Sequence, residues 1–518
     1  MSRKRITPIG ISCGAANGAK GSEGPPGAQG ERGCAAGPRA RAAPWKPNGA
    51  GSLRRGAGAR QRCPHPLISA RVTAARQART PRPRRSVPVA TAAQLRIWLV
   101  SQSYLPYHGG ITEHVWHLSD ALARRGHAVT ILTGSPLVPT AERCDADPPG
   151  VRVVRLGSTV RIPSHGARAC VTLGWNWRGH LAPLRVPRPD LVHLQSPLEP
   201  FLPLWMLGKI SEPKIGTFHT GGARPHWGYR RFARPLQRLV RRLDARIAVS
   251  REAARFARQH FPGTFQIIPN GVDLHRFGSA PRSPLSPSCH GPRPHPGDAA
   301  AAPELLYVGR LDPRKGLPVL LDAVELLSAR RVARGKAPAR LTLVGSGPLR
   351  GKLERRARAA GLAVRFAGRV TRADLPGHYA TADCFIAPST DGESFGISPL
   401  EALATGLPVV ASEISGYAEA LQGAPTVRFF RAGDPVALAA ALHEMLRLRS
   451  AADLWPARAA AARSFALRFD WSRIASLTEA LYLRVLARHA RSARRLPAAS
   501  PPSPAPVDAE EAACVESF

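Results

Sequence analysis

The sequence predicts an α/β protein built from two Rossmann-like, doubly wound domains. Short, β-branched and almost wholly apolar runs alternate with helical stretches, and the alternation stops at a proline-rich interruption and then restarts. Strands of this kind are typical of a parallel sheet that is covered by helices on both faces. A length of 518 residues is sufficient for two domains with full cores and terminal tails.

Each domain is predicted from its own set of strands. The first, residues 95–277, has as candidates LRIWLVSQ, HAVTIL, VRVVRL, DLVHLQ, PKIGTFH and ARIAVS. The second, residues 304–459, has as candidates ELLYVGR, ARLTLVG, VRFAG, CFIAPS and PVVAS. Residues 278–303 between them are rich in proline, serine and histidine, which predicts a flexible linker or insert.

The two ends of the chain differ from the domains. Residues 460–490 have a helical period and predict one long helix, and residues 491–518 predict a disordered tail. Residues 1–94 are rich in glycine, alanine, arginine and proline and predict a disordered basic leader. The leader is interpreted first as an extension from a misplaced start codon, and otherwise as a membrane- or nucleic-acid-binding tail or a targeting peptide.

Charge and composition limit the possible functions. The formal net charge of +39 suggests a polyanionic partner, but the leader alone holds 18 Lys and Arg residues against two acidic ones. This concentration, without a recognised binding module, argues against nucleic acid as a partner. The 8 cysteines form no CxxC pair, which predicts free thiols in a reducing, cytoplasmic compartment. No apolar run approaches the roughly 18 residues of a membrane span.

Two turns of the first domain carry candidate functional residues. Gly109 and Gly110 follow the first predicted strand and precede a helix, where free amide groups and the helix dipole suit a phosphate. His219 lies in TFHTGG at the carboxyl end of another strand, where ligands bind in open α/β sheets. A tight turn without a ligand and a structural histidine are the alternative interpretations.

Two segments of the second domain carry complementary charges. Arg310 and Lys315 in VGRLDPRKG follow a strand and could hold a diphosphate, or could belong to a solvated basic loop. Glu393 and Glu401 in DGESFGISPLEALATGLPVVAS are eight residues apart. If the intervening stretch is mainly helical, they lie along one face, where they either bind hydroxyl groups or merely decorate a surface helix.

These motifs resemble those of a known family. GRLDPRKG, the glycine pair of LVGSGP and DGESFGISPLEALATGLPVVAS are similar to the retaining glycosyltransferases of family 4, also called group 1. The resemblance covers residues 95–482, and the family's glutamate, seven residues, glutamate signature falls on Glu393 and Glu401. It implies the GT-B fold, in which two Rossmann-like domains face a cleft, with the acceptor on the first domain, the donor on the second and a final helix returning across the cleft.

The resemblance also implies roles for individual residues. The catalytic residues would be His219, Arg310, Lys315 and Glu393. The residues that bind the sugar-nucleotide donor would be Gly110, Arg310, Lys315, Gly345, Val370, Glu393, Ser394, Phe395, Gly396, Ile397 and Glu401. The residues that bind the acceptor would be Tyr104, Gly109, Gly110, Ile111 and His219. No metal and no cofactor are expected, since the arginine, the lysine and helix amides supply the positive charge.

Donor and acceptor are implied by one branch of the family. YLPYHGGITEHVWHLSDALARRGHAVTIL, TFHT and ESFGISPLEA are most similar to the phosphatidylinositol mannosyltransferases, which implies GDP-mannose as donor and an inositol lipid or related glycolipid as acceptor. A UDP-sugar with a polysaccharide, polyprenyl or small-molecule acceptor is the alternative within the family. A sugar-nucleotide epimerase of the same fold and a basic nucleic-acid-binding protein are the alternatives of another class.

A lipid acceptor implies peripheral contact with an anionic membrane, on the inner face of the plasma membrane. RPHWGYRRFARPLQRLVRRLDARIAVS interleaves arginines with aromatic and aliphatic residues, as a helix on a lipid surface does. IPSHGARACVTLGWNWRGHL, with Arg168, Trp175, Trp177 and Arg178, occupies the place of the branch's lipid-facing element. An ordinary arginine-rich surface is the alternative interpretation of both segments.

Overall fold

The computed structural model describes residues 94–137, 146–164, 167–174, 187–222, 227–278, 302–451 and 453–495. The leader before residue 94, most of the proline-rich insert and the tail after residue 495 lie outside these ranges. So do Trp175, Trp177 and Arg178 of the expected lipid-facing element.

The first sheet has eight strands in the order β4-β3-β2-β1-β5-β6-β7-β8. Its strands are β1 Arg96–Val100, β2 Ala128–Pro136, β3 Arg152–Ser164, β4 Ala167–Leu173, β5 Leu191–Gln195, β6 Lys214–Phe218, β7 Ala245–Ala248 and β8 Gln266–Ile267. All neighbours are parallel except β3 and β4, which form an antiparallel hairpin. The helices of this domain are Gly110–Arg124, Leu202–Lys209, Trp227–Arg231, Ala233–Val240, Arg251–Arg258 and Leu274–Gly278.

The second sheet has six parallel strands in the order β11-β10-β9-β12-β13-β14. Its strands are β9 Glu304–Val308, β10 Arg340–Val344, β11 Ala363–Gly368, β12 Cys384–Ala387, β13 Val409–Ser412 and β14 Val427–Phe430. The helices that follow are Leu317–Val332, Arg350–Ala359, Leu375–Thr381, Ile397–Thr405, Ser415–Leu421, Pro435–Ser450, Trp455–Ala466 and Trp471–Arg495. Pro313–Lys315 and Leu467–Phe469 form single 3₁₀ turns.

The predicted fold class is confirmed. Each apolar run named from the sequence forms a strand, and the central ones are buried on both faces; all five residues of β5 and of β6 are buried. Covered parallel strands require this continuous apolarity. The sequence patterns missed β4, β8 and β14, which are sheet-edge strands that lack a continuous apolar run.

The C-terminal helix differs from the expectation. Residues 460–490 were expected to form one helix, but the chain forms two, Trp455–Ala466 and Trp471–Arg495, separated by a break at residues 467–470. The carboxylate of Asp470 accepts a hydrogen bond from the Ser472 amide at 2.8 Å and begins the second helix. Residues of the break also contact the first domain, since the Val272 amide of that domain donates a hydrogen bond to the Phe469 carbonyl at 2.7 Å.

The two C-terminal helices pack on different domains. The Thr405 carbonyl, in the second domain, lies 3.5 Å from the guanidinium of Arg463 on the first of these helices. On the second helix, Glu479 accepts a hydrogen bond from Arg125, and the Tyr482 hydroxyl lies 2.7 Å from His193 Nδ1 within the first domain. The chain therefore crosses back to the first domain at the break.

Candidate active site

The strand orders place a topological switch point in each sheet. In the first sheet β1 lies between β2 and β5, and in the second β9 lies between β10 and β12. The loops that leave the two sides of such a point diverge and create a crevice at the carboxyl ends of the strands, where ligands bind. The predicted site residues follow β1 and β6 in the first sheet, and β9 to β12 in the second.

The turn after β1 contributes exposed backbone and one buried ring. Gly110 is exposed and opens the helix Gly110–Arg124, while Gly109 and Ile111 beside it are partly exposed. Tyr104 is only 1% exposed and packs in the core, where burial and then the nearby Asp147 raise its pKa. The structure thus places Tyr104 as a core residue, and the glycines as the part of this turn that faces the crevice.

His219 lies at the end of β6 in a chain of buried polar groups. Its Nε2 is 2.7 Å from Gln195 Oε1, and its ring meets the edge of His114 with centroids 4.8 Å apart. Burial, together with His114 and His193, lowers the pKa of His219 well below its usual value. His219 is therefore neutral near pH 7 and held in a fixed orientation.

The turn after β9 brings Lys315 to Glu393. Pro313–Lys315 forms a 3₁₀ turn, and Gly316 follows with φ of 64°. A Cβ at Gly316 would lie 1.9 Å from the Pro388 carbonyl oxygen, so only glycine allows the turn to pack against the end of β12. This packing places the Lys315 ammonium in direct contact with the Glu393 carboxylate.

The electrostatics of Glu393 follow from this contact. Burial opposes ionisation, but the Lys315 charge and hydrogen bond, with Arg314 and Ser389, outweigh it and lower the pKa of Glu393. The Ser389 hydroxyl lies 3.3 Å from the carboxylate. Arg310 is oriented separately, by an ion pair at 3.0 Å with Asp312. The site therefore holds an ionised glutamate beside an ammonium, with the Arg314 guanidinium also close enough to act on the glutamate.

Glu401 lies in a different local structure from Glu393. The helix begins at Ile397, after Gly396 with φ of 94°, so Glu393 belongs to the preceding loop and only Glu401 to the helix. A mainly helical stretch between the two glutamates was the condition for them to lie along one helix face, and that condition is not met, because the glycine in the left-handed region interrupts the helical backbone. Glu401 is 7% exposed and accepts a hydrogen bond from the Tyr379 hydroxyl at 2.6 Å.

The remaining donor-side residues line the same turns. Gly345 packs against the turn after β9, since a Cβ there would lie 2.0 Å from the Gly309 carbonyl oxygen. Val370 and Ser394 are partly exposed, whereas Phe395 is 3% exposed and packs in the core. The backbone of residues 394–396, rather than the Phe395 ring, thus faces the crevice.

The two domains approach each other at these loops. The position of a Cβ on Gly110 is 3.7 Å from Ile397 Cδ1, which joins the turn after β1 to the helix after β12. A Cβ on Gly221 would lie 3.0 Å from the Cα of Ser394. The predicted residues of both domains are therefore brought together across one cleft.

One contact that spans this cleft was not predicted from the sequence. Arg372, in the loop after β11, lies 2.8 Å from the Glu113 carboxylate and donates to His117 Nε2 at 2.8 Å. Its guanidinium also lies 4.1 Å from the ring centroid of Trp116. Tyr379 was missed for the same reason, because its partner, Glu401, becomes evident only when the chain is folded.

A cavity of about 240 Å³ opens beside Glu393. Four acidic residues are among those that line it, and these are Glu252, Asp391, Glu393 and Glu413. The Arg255 guanidinium, which also lines it, is 2.7 Å from Glu252. This arrangement offers hydrogen-bond acceptors to a ligand that carries hydroxyl groups.

The structure also bears on metal sites, membrane-spanning helices and cysteines. Within the described ranges, no group of three or more His, Cys, Asp and Glu residues could hold a metal ion. No helix in the part of the chain that the structure describes is long and apolar enough to cross a bilayer. Cys170 and Cys384, the cysteines in those ranges, are buried.

Comparison with known proteins identifies the family. A model described as glycosyl transferases group 1 matches residues 302–447, and a model described as glycosyltransferase family 4 matches residues 108–276. Over 394 residues the chain is 31% identical to the phosphatidyl-myo-inositol mannosyltransferase of Mycobacterium leprae, with 75% of this chain and 96% of that protein covered. The chain belongs to glycosyltransferase family 4, the group 1 glycosyl transferases.

The glycosyltransferase has relatives with other substrates. It is 32% identical over 431 residues to a glycogen synthase of Mycobacterium tuberculosis, with 78% of this chain and 98% of that protein covered. Its fold matches that of sucrose-phosphate synthase from Thermosynechococcus elongatus with a TM-score of 0.57, at 22% identity, over 76% of this chain and 100% of the other. The resemblance seen in the motifs and the GT-B fold that it implied are thus confirmed.

Proposed function

We propose that the glycosyltransferase moves a hexose, with retention at the anomeric carbon and without a metal, from a nucleoside-diphosphate sugar to a lipid hydroxyl. GDP-mannose is the proposed donor, and phosphatidylinositol or a related glycolipid is the proposed acceptor. The observation that carries the proposal is the contact of Lys315 with Glu393 at the carboxyl ends of β9 and β12. The similarity to phosphatidyl-myo-inositol mannosyltransferases supports the choice of donor and acceptor.

The two residues of this ion pair suit different parts of the donor. Lys315, with Arg310, suits the diphosphate and neutralises the negative charge that grows as the nucleoside diphosphate leaves. Glu393 suits the hydroxyl groups of the transferred sugar, and Glu401, held by Tyr379, suits the ribose. The amides of residues 394–396 lie at a helix start and suit a phosphate.

The proposed reaction proceeds through an oxocarbenium-like transition state. The acceptor hydroxyl attacks on the face from which the nucleoside diphosphate departs and gives its proton to the departing phosphate oxygen, and attack on that face retains the anomeric configuration. Stabilisation of the leaving group is the main catalytic contribution, because the cations are in place before charge develops. We assign His219, which is neutral and oriented by Gln195, to the side of the cleft opposite the donor, where it would contact the reacting sugar. Closure of the cleft excludes water and so prevents hydrolysis.

A second candidate is transfer to a glycan. The similarity to glycogen synthase supports it, as does the carboxylate-rich cavity beside Glu393, whose acceptor groups suit a neutral, hydroxyl-rich acceptor. This candidate takes a nucleoside-diphosphate glucose as donor and a polysaccharide end as acceptor.

Product analysis distinguishes the two candidates. The protein is incubated with GDP-mannose, UDP-glucose, ADP-glucose or UDP-N-acetylglucosamine as donor. Each donor is combined with phosphatidylinositol vesicles or with glycogen as acceptor, and the products are identified by mass spectrometry. A hexose added to the lipid with GDP-mannose alone supports the first candidate, and glycogen extension supports the second. Donor consumption with neither product refutes both acceptors and leaves the family assignment intact.

Variants test the residues. Lys315→Met should lower turnover about 100- to 1,000-fold, the usual loss when one group that stabilises transition-state charge is removed. Lys352→Met, which removes an exposed lysine from the helix Arg350–Ala359, is the matched control and should transfer at the parent rate. Equal rates for both variants would refute the role of Lys315.

A further inference from the structure

Four buried residues form a hydrogen-bonded chain that ends at His219. Gln195 and His193 lie on β5, Thr217 lies on the neighbouring strand β6, and Tyr482 lies on the second C-terminal helix. Each of the four is at most 1% exposed. Polar groups buried this deeply are costly unless they are paired, so their pairing fixes the orientation of every member of the chain.

The side-chain amide of Gln195 sets the direction of these hydrogen bonds. Its Oε1 lies 2.7 Å from His219 Nε2. Because a carbonyl oxygen can only accept, His219 carries its proton on Nε2. The amide nitrogen of Gln195 lies 3.3 Å from His193 Nε2 and can only donate. That nitrogen of His193 is therefore an acceptor, and the ring carries its proton on Nδ1.

The other contacts of His193 agree with this assignment. The Thr217 hydroxyl lies 2.6 Å from Nε2 and is a second donor to it. On the other side of the ring, Nδ1 donates to the Tyr482 hydroxyl at 2.7 Å. Burial keeps both imidazoles neutral, since it lowers the pKa of His193 to about 3 and that of His219 well below its usual value. Each ring is therefore held as one neutral tautomer.

A second set of contacts holds the His219 ring from the side. The ring of His114 meets it edge-on, with centroids 4.8 Å apart. Asn270 Oδ1 lies 2.9 Å from His114 Nδ1, and the Trp471 ring lies 5.4 Å from the His114 ring. Trp471 begins the second C-terminal helix. That helix therefore supports His219 through both sets of contacts.

These contacts leave one nitrogen of His219 for a ligand. Within the described ranges its Nδ1 has no hydrogen-bond partner, and 9% of the residue is exposed. In the tautomer that is protonated on Nε2, Nδ1 holds a lone pair and can only accept a hydrogen bond. Ligands of open α/β sheets bind at the carboxyl ends of the strands, where His219 follows β6. A hydroxyl group is the donor that a sugar or an acceptor would offer there.

We propose that Gln195 and His193 are positioning residues, which hold His219 in the Nε2-protonated tautomer so that its Nδ1 accepts a hydrogen bond from a substrate hydroxyl. Tyr482 anchors this chain to the second C-terminal helix, so the orientation of His219 depends on the return of that helix to the first domain. The inference rests on the proposed function for the contact between His219 and the substrate. The tautomer exists without substrate and is measured separately.

The first experiment identifies the tautomer in the full chain without substrate. Two-bond proton–nitrogen NMR spectra are recorded with isotopically labelled histidine, and the His219→Asn variant identifies the His219 signals. We expect protonation on Nε2 alone in the parent. In Gln195→Met, which offers no acceptor, the signals should move toward the average of two exchanging tautomers. Unchanged His219 signals in Gln195→Met would overturn the proposal.

The second experiment measures turnover with GDP-mannose and phosphatidylinositol vesicles, and with UDP-glucose and glycogen. Gln195→Met should lower kcat about tenfold, the effect of one lost orienting hydrogen bond, and should change the KM for the donor less than about twofold. Tyr482→Phe, which removes the hydroxyl that contacts His193, should lower kcat about threefold.

Gln102→Met is the matched control for Gln195→Met. Gln102 is 1% exposed in the same domain, but its Oε1 accepts from the Thr172 amide at 2.7 Å and has no contact with the chain that ends at His219. Both variants should lower the thermal unfolding midpoint, because each leaves a buried group without its partner. Only Gln195→Met should lower kcat, and equal kcat values in the two variants would overturn the proposal.

The Gln195→Glu variant adds a readout that a purely structural role would not change. The titratable side chains that act on His219 are His114, on the helix Gly110–Arg124, and His193, on β5, and burial keeps both neutral near pH 7. A carboxylate at position 195 offers the same acceptor oxygen, but its charge raises the pKa of His219. The kcat should match that of the parent at alkaline pH and fall toward acid pH, as Nδ1 gains a proton. A pH profile parallel to that of the parent would overturn the proposal.

The outcomes distinguish this inference from the proposed function. A parent rate in His219→Asn would refute the contact of His219 with the substrate and overturn both. A lost rate in His219→Asn with parent behaviour in Gln195→Met would overturn the positioning role alone. A changed tautomer in Gln195→Met, with neither donor consumed by the parent, would support the positioning role and refute the proposed donors.

Discussion

Substitution of Arg372 by glutamine should weaken the contact between the two domains. Arg372 belongs to the second domain, but its guanidinium lies 2.8 Å from the Glu113 carboxylate and 2.8 Å from His117 Nε2 in the first. It also lies 4.1 Å from the centroid of the Trp116 ring. Its side chain is 12% exposed and that of Glu113 is 23% exposed, so solvent screens this ion pair only in part.

The expected magnitude follows from these contacts. A hydrogen bond to a charged group contributes about 1.5–3 kcal/mol, and a cation–π contact contributes about 0.5–2 kcal/mol. Because glutamine retains some hydrogen bonding, the substitution should weaken the contact between the two domains by about 2–4 kcal/mol of free energy. That loss shifts the equilibrium between closed and open domains by roughly 30- to 900-fold.

Small-angle X-ray scattering and donor kinetics measure this shift. The Arg372→Gln variant should show a larger radius of gyration and a higher KM for the donor, with an unchanged thermal unfolding midpoint of each domain. Arg369→Gln is the control, because Arg369 lies in the same loop but donates to Ser346 Oγ at 3.0 Å within its own domain. The same radius and KM in the two variants would refute the assignment of Arg372 to interdomain contact.

Three further outcomes are expected. Tyr379→Phe removes the 2.6 Å hydrogen bond to Glu401 and should lower the free energy of unfolding by about 1–3 kcal/mol, measured in urea. Gly221→Val should lower turnover without changing the thermal unfolding midpoint, because its Cβ obstructs the approach of the second domain; an unchanged turnover contradicts this geometry. Burial lowers the pKa of His114 to about 4 and that of His193 to about 3, so the folded state binds protons less readily than the unfolded state. The contribution of these histidines to the free energy of unfolding should therefore be fully present above pH 6.5. Below pH 6.5 the free energy of unfolding should fall by about 1.4 kcal/mol for each histidine and each pH unit. The fall should be shallower in the His193→Gln variant.

The sequence alone determined the fold class and the regions that carry the site. Apolar runs such as DLVHLQ and CFIAPS specify covered parallel strands, because every side chain of β5 and of β12 is buried whichever face of the sheet it points to. The strand-to-helix turns that hold Gly110, Lys315 and Glu393 are local in sequence, so their place at the carboxyl edges follows from the strand pattern.

Only the tertiary structure decided how these residues are paired. The Lys315 to Glu393 contact spans 78 positions and the Arg372 to Glu113 contact spans 259, so neither is encoded in a local pattern. The left-handed backbone at Gly396 separates Glu393 from the helix of Glu401, although their spacing alone fits one helix. Local periodicity specifies which residues are buried, whereas contacts between distant side chains depend on how the sheets and domains pack.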